Sequence, residues 1–347
     1  MKIRICALIL LCCSLLAACS AGGDSTPVPT VAATGLPQAT ETVVPQTSAP
    51  PATVVPTPAQ GKVILVAPAE TGAVASALSD LAGASGLAFE TRPALSPQEI
   101  PEETRLVVLL QAPQDLAALT SAAPQAQFVV QGGSDLQAGG NLSVIRQLEE
   151  QRTFMAGFIT TIVAPDWRAA GLLPDTPGDL QDAFINGGRY WCGRCVPMYA
   201  PLVLFPLAGV QPPGTDAAGW QSTLQELQNS VLEAVYISPA ADSPDLRAAL
   251  NAQKLILVGT QTPASGSSEG AGAKANWAAT LSFDPLPAIQ KLWPDLLAGK
   301  GGQTVDASLS WTDVNADIFT LGRQRLAQEA LDGLLDGTIS PFSVPAE

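Results

Sequence analysis

Two cysteines three residues apart, in Trp191-Cys192-Gly193-Arg194-Cys195, form the shortest string in this chain whose residue types could do chemistry. Such a pair supports three roles: a structural disulfide, thiol–disulfide exchange, or half of a metal site. Exchange chemistry calls for a strand before the pair and a helix that opens at it, because a helix amino terminus lowers the thiol pKa. Here the pair follows a helix-like stretch, Asp179 to Phe184, and precedes Pro197 and Pro201. In an exported chain two nearby cysteines most simply form a structural disulfide, and two sulfurs without histidine make a poor zinc site. The chain has no histidine at all. That removes the usual general base, the Ser-His-Asp arrangement and the commonest metal ligand. Carboxylates are numerous, yet the sequence alone gives no pair with the distinct environments that acid/base assignment needs. We therefore assign no catalytic residue and expect neither cofactor nor metal; a thiol–disulfide enzyme using Cys192 and Cys195 is the alternative.

A third cysteine carries a different message. Lys2 and Arg4 precede an apolar run, Ile5 to Leu16, that ends in Leu16-Ala17-Ala18-Cys19. A positive start, a short apolar core and small residues before a cut describe a secretory signal, and the run is too short to span a bilayer. Cys19 after Leu-Ala-Ala resembles a bacterial lipobox, which predicts lipidation of Cys19 and an exported, membrane-anchored chain. From Ser20 to Gln60 the residues are mostly Ser, Thr, Pro, Ala, Val and Gly, with Asp24 and Glu41 the only charges. Such a stretch cannot offset its ordering entropy by burial, and reads as a semi-stiff spacer. The formal charge is -14, from 17 basic and 31 acidic residues. Loss of Lys2 and Arg4 with the leader takes it from -14 to -16. Neither nucleic acid nor, through charge, an anionic membrane surface is an expected partner of so acidic a chain.

From Gly61 onward, strand and helix signals alternate. Lys62 to Ala67, Leu87 to Thr91, Thr104 to Leu110, Phe128 to Gln131 and Asn141 to Ile145 read as strands, as short apolar runs of buried parallel sheet do. Thr71 to Leu81, Gln114 to Ala123 and Gln147 to Ala164 read as helices, with Val74, Leu78 and Leu81 at helical spacing in the first. A second series puts strands at 169–173, 201–206, 233–238, 254–259 and 277–283, and helices at 177–184, 220–232, 246–252 and 286–297. Alternating βα units argue for parallel sheets covered by helices. Trp167, Trp220, Trp293 and Trp311 are expected to pack inside or between lobes.

Several strings resemble basic membrane protein (BMP) lipoproteins, the substrate-binding proteins of ABC transporters with a type I periplasmic-binding-protein fold. They are Pro124 to Val130, Asn141 to Ile145 followed by Phe154-Met-Ala-Gly157, Ala183-Phe-Ile-Asn-Gly187, and Leu334 to Pro345. The resemblance covers most of Gly61 to Pro345. It departs at Gln131, where the family usually has Asp, and at the loop Pro68 to Gly72. It implies an α/β fold of two Rossmann-like lobes with parallel sheets around a hinge. It also implies a small-molecule ligand, nucleosides being the family's best-known class, and an ABC permease as partner. The expected organisation is a leader at 1–18 and a lipidated cysteine with linker at 19–60. The first lobe would hold 61–166 with about 277–302 and 325–347, and the second 167–276 with about 303–324.

In open α/β sheets, ligands bind outside the carboxyl ends of strands. That rule selects Glu70, Thr71, Gln111, Gln131 and Asp135 in the first lobe, and Asp175, Ser238, Asp242 and Gln261 in the second. Trp277 and Asp284 bound the strand expected to return between the lobes.

Overall fold

The structure, a computed structural model, describes residues 61–67, 72–133, 135–176, 179–262 and 272–342. Cys19, Glu70 and Thr71 lie outside them. The first run of elements is β1 (Lys62–Val66), α1 (Gly72–Ala84), β2 (Ala88–Arg92), β3 (Thr104–Leu109), α2 (Leu116–Ala122), β4 (Gln127–Gly132) and β5 (Leu142–Arg146). Helix α3 (Glu149–Val163) leads to β6 (Ala169–Pro174), α4 (Leu180–Cys192), β7 (Leu207–Gln211), α5 (Ala217–Gln228), β8 (Ala234–Ile237), α6 (Pro244–Ala252) and β9 (Ile256–Gly259). The chain then forms α7 (Gly272–Ala275), β10 (Trp277–Asp284), α8 (Leu286–Leu297), β11 (Thr304–Asp306), β12 (Ser308–Thr312) and α9 (Leu321–Leu335).

Among the described residues the strands make two six-stranded sheets, ordered β11-β5-β4-β3-β1-β2 and β12-β10-β9-β8-β6-β7. Every pairing is parallel except β10 with β12. The apolar runs Val63–Leu65, Leu106–Leu109 and Phe128–Val130 are buried on both faces, as helix-covered parallel strands must be. One core lies between α1, α3, α4, α8 and the sheets and runs through both lobes. Two smaller cores fill the opposite faces, one per sheet. All three belong to one compact unit, Thr57–Glu347. No helix among the described residues is long and apolar enough to cross a membrane.

Three readings of the sequence change. Residues 201–206 are not a strand: Pro201 and Pro206 bound an irregular segment with exposed Leu202 and Leu204, and the strand is the next five residues, β7. Helix α4 does not stop at Phe184 but continues through Gly187 and Gly188 to Cys192. The late strands also fall in sheets other than those expected. β10 lies in the second sheet and β11 in the first, while α8 covers β3 and β4 and α9 packs on α3. Helix α3 itself lies along α4 and against β6, β8, β9 and β10, so it covers the second sheet.

The glycines in α4 explain its length. A Cβ on Gly187 would sit 1.9 Å from the carbonyl oxygen of Phe154, and one on Gly157 would sit 1.9 Å from that of Phe184. Helices α3 and α4 thus touch backbone to backbone at a reciprocal pair of glycines. Gly157→Ala should cost about 3 kcal/mol, at the upper end of overpacking penalties, and lower the thermal midpoint by several degrees. Gly83→Ala in α1, where an added Cβ meets nothing within 4 Å, should be neutral or slightly stabilising in the same calorimetric comparison.

Candidate functional site

The carboxyl edges of the two sheets meet where the chain crosses between them. Gln131, near the end of β4, is buried and its side-chain Nε2 donates to the carbonyl oxygen of Phe283, near the end of β10, at 3.4 Å. The first crossing follows β5 directly, so it delivers the first turn of α3 to this same edge. That turn carries Glu149 and Arg152, which form an ion pair. Arg152 is 8% exposed, and its guanidinium lies 5.1 Å from the centroid of the Phe283 ring, within cation–π range.

Tyr236, in β8, is buried beneath this pair and stacks on Phe184 of α4, with ring centroids 6.0 Å apart. Burial pushes its phenol up to about 12, while the neighbouring Arg152 charge opposes the shift and Glu149 and Asp242 reinforce it. Burial likewise raises the Glu149 carboxyl above its ordinary value, against the pull of Arg152. Ser238 follows β8 and is 3% exposed. Asp242 pairs with Arg247 at the start of α6, both side chains being largely buried. Among protein atoms, Ser238 Oγ and Arg152 Nε are buried without a hydrogen-bond partner. Leaving such a group unmade costs about 1–3 kcal/mol. The edge therefore offers one obligate donor and one hydroxyl to a small molecule that carries hydrogen-bond acceptors.

Sequence reasoning placed Gln131, Ser238 and Asp242 at this edge: Gln131 bonds the Phe283 carbonyl, Asp242 lies near enough to act on Tyr236, and Ser238 follows Tyr236 by two residues. Gln111, Asp135, Asp175 and Gln261 stand at strand ends with exposed side chains, apart from that buried cluster. Trp277 is no stacking face for a ligand. It starts β10, packs in the core against Gly259, and spends its indole N–H on Thr280 Oγ1 at 2.9 Å. Asp284 has a structural task, since its Oδ1 accepts from the Leu286 amide at 2.9 Å where α8 begins. Glu149, Arg152 and Tyr236 were missed. The available signal was the period of α3: Arg152 shares a helical stripe with Ala156, Ile159 and Val163, so a cation stood on a face meant for burial.

The cysteine pair is elsewhere. Cys192 and Cys195 are joined as a disulfide with Cα atoms 5.1 Å apart, and Cys192 is the last residue of α4. A helix carboxyl terminus bears partial negative charge, which disfavours a thiolate. Exchange chemistry needs the opposite end.

No family model matches this chain, and no curated protein is significantly similar to it. Solved structures are. The chain resembles an ABC transporter system solute-binding protein from Conexibacter woesei DSM 14684 at 18% identity and a TM-score of 0.58, covering 82% of this chain and all of that one. It resembles a transcriptional activator of the comK gene from Bacillus halodurans at 14% identity and a TM-score of 0.55, over 81% of this chain and 99% of the other. A third likeness, at 14% identity and a TM-score of 0.53, is to an ABC transporter solute-binding protein from Aeropyrum pernix K1, over 83% and 94%. The fold is that of type I periplasmic binding proteins, and these neighbours are binding proteins and a regulator.

Two outcomes follow from the buried phenol and the disulfide. Tyr236 should ionise at about 12 in an absorbance titration, and that step should vanish in Tyr236→Phe. A phenol whose folded pKa is raised contributes stability that is whole below its ordinary value of 10.0 and is lost as pH climbs toward 12. Reducing the disulfide removes a short loop constraint worth about 2 kcal/mol, so dithiothreitol should lower the thermal midpoint while the reduced protein leaves insulin disulfides intact.

Proposed function

We propose that this protein is an extracytoplasmic solute-binding protein of the BMP type, anchored through lipid on Cys19, that delivers a small molecule to an ABC permease. The two lobes close over the solute at the carboxyl edges of their sheets, the hinge motion this architecture allows. What supports the reading most is the pair of buried, unpartnered polar atoms at that edge, Arg152 Nε and Ser238 Oγ. A few placed polar groups within an apolar setting fix the orientation of a small ligand. Phe283 and Tyr236 supply the apolar and aromatic surface, and Gln131, Ser238 and Asp242 are the ligand contacts we keep from the sequence. Glu70 and Thr71, which follow β1 in sequence, remain proposed contacts outside the described residues. A nucleoside suits this set, since its base and sugar offer acceptors and a planar face.

The arrangement asks for no chemistry on the solute. Arg152 holds and orients, Glu149 fixes the arginine in place, and lobe closure excludes water. The thiol–disulfide alternative is disfavoured by the position of Cys192 at a helix carboxyl end.

Thermal unfolding in the presence of nucleosides, vitamins, sugars and amino acids tests the reading. A ligand at about 100 times its dissociation constant should add about 2.7 kcal/mol of stability. Arg152→Met should weaken that ligand roughly 10- to 150-fold, the loss of a hydrogen bond to a charged group, and Ser238→Ala about tenfold. If no compound class raises the midpoint after bound solute has been stripped by unfolding and refolding, the transport reading fails and a sensory or structural role takes its place.

A further inference from the structure

The pole of the second lobe opposite this edge carries an unusual surface. Strand β6 runs toward the hinge, so its amino end, with the ends of α3 and α4, lies on the far side. There the segment after α4 exposes Met198, Tyr199, Leu202 and Leu204 at 72%, 70%, 67% and 52%. Tyr190 and Trp191 join them, 56% and 39% exposed, with ring centroids 6.2 and 6.0 Å from that of Phe158 in α3.

This exposure is enforced by the backbone beneath. Arg168 is buried and donates to the carbonyl oxygens of Tyr199 and Ser230. Asp166 accepts from the Met198 amide at 3.0 Å, and the Phe205 amide donates to Cys195 at 3.2 Å. Phe205 is fully buried below Arg168, and the Cys192–Cys195 bond closes the first turn of the segment. The main chain is fastened from inside, so the apolar side chains cannot fold back.

Between residues 183 and 215 this surface carries only positive charge, and the partly buried Asp166 and Glu233 at the same pole are held by backbone amides and Arg168. Acids outnumber bases 31 to 17 overall, yet no Asp or Glu occurs between Asp182 and Asp216. Arg189 and Arg194 are the only charges there, and both are exposed. Beside Trp191, a depression of about 420 Å³ has an apolar floor that includes Ile162 and Leu326, with Arg323 and Arg325 at its side. Arg325 also pairs with Glu329 on the exposed face of α9. Aromatic rings, aliphatic side chains and arginines on one face match the interface of a bilayer, where Trp and Tyr sit at headgroup level and cations meet anionic lipid.

We infer that this pole docks on an anionic lipid surface, with Met198, Tyr199 and Leu202 entering the headgroup region and Arg189 and Arg194 meeting lipid phosphates. The contact is independent of any lipid on Cys19. It leaves the hinge edge free.

Sedimentation of the compact unit, residues 57–347, with vesicles of phosphatidylcholine alone or mixed with phosphatidylglycerol tests this. The wild-type unit should partition at least tenfold more strongly into the anionic vesicles. The combined Met198→Ser, Tyr199→Ser and Leu202→Ser variant should lose that binding tenfold or more while keeping its thermal midpoint. Arg189→Gln with Arg194→Gln should lose the preference for anionic over neutral vesicles. Equal sedimentation of wild type and the triple variant, including none by either, would overturn the inference. So would light scattering that finds a wild-type dimer made monomeric by the triple variant without any vesicle binding, because the patch would then join two copies of the chain.

Discussion

The contact of Gly157 with Gly187 governs what the second lobe can do at both of its ends. Helices α3 and α4 meet there with no side chain between them, and each glycine faces a carbonyl oxygen of the other helix. Close packing leaves no slack for a methyl group at such a point. Helix α3 begins at the hinge with Glu149 and Arg152; α4 ends at the opposite pole with Trp191 and Cys192. Sliding or spreading the pair would shift the arginine at one end and the aromatic rings at the other. Phe184 joins the two, since it packs below Gly171 and stacks on Tyr236.

The polar cluster at the hinge is a poor way to gain stability. Burying the Arg152 cation costs several kcal/mol, and Glu149, whose side chain stays 36% exposed, offsets only part of that cost. The raised carboxyl of Glu149 and phenol of Tyr236 record that cost. By contrast, the Arg146–Asp306 pair across β5 and β11 is well exposed, and pairs of that kind contribute little. Stability comes from the three apolar cores. Arg152, buried with Glu149 partly exposed beside it, specifies geometry at the edge where the lobes meet.

The sequence made most of the βα alternation readable because strands buried on both faces are written as compact β-branched runs, as in Val63-Ile64-Leu65. It misled at 201–206, where Leu202-Val203-Leu204 has the same character but is flanked by prolines and turns its leucines outward. It fell short in α4, where the reading ends the helix at Phe184, although Gly187 and Gly188 continue it at the close approach to α3. The sheet to which β10 and β11 belong depends on pairings between distant parts of the chain, and no local pattern encodes them. Within the candidate site, Gln131, Ser238 and Asp242 are strand-end positions that the alternation alone marks out. Arg152 and Tyr236 could not, because their significance comes from meeting each other and Phe283 across three separate elements.

Neither lobe is a continuous stretch of chain. The first sheet takes its edge strand β11 from residues 304–306, and the second takes β12 from 308–312, after all their other strands have been made. Loop closure over such separations is slow compared with local pairing. During synthesis, then, both sheets wait with an open edge until almost the whole chain is available, and they are completed nearly together. An exposed parallel edge is a template for unwanted pairing. A truncation before Thr304 would therefore harm both halves at once, leaving two unfinished sheets where a simple two-domain protein would have kept one half intact.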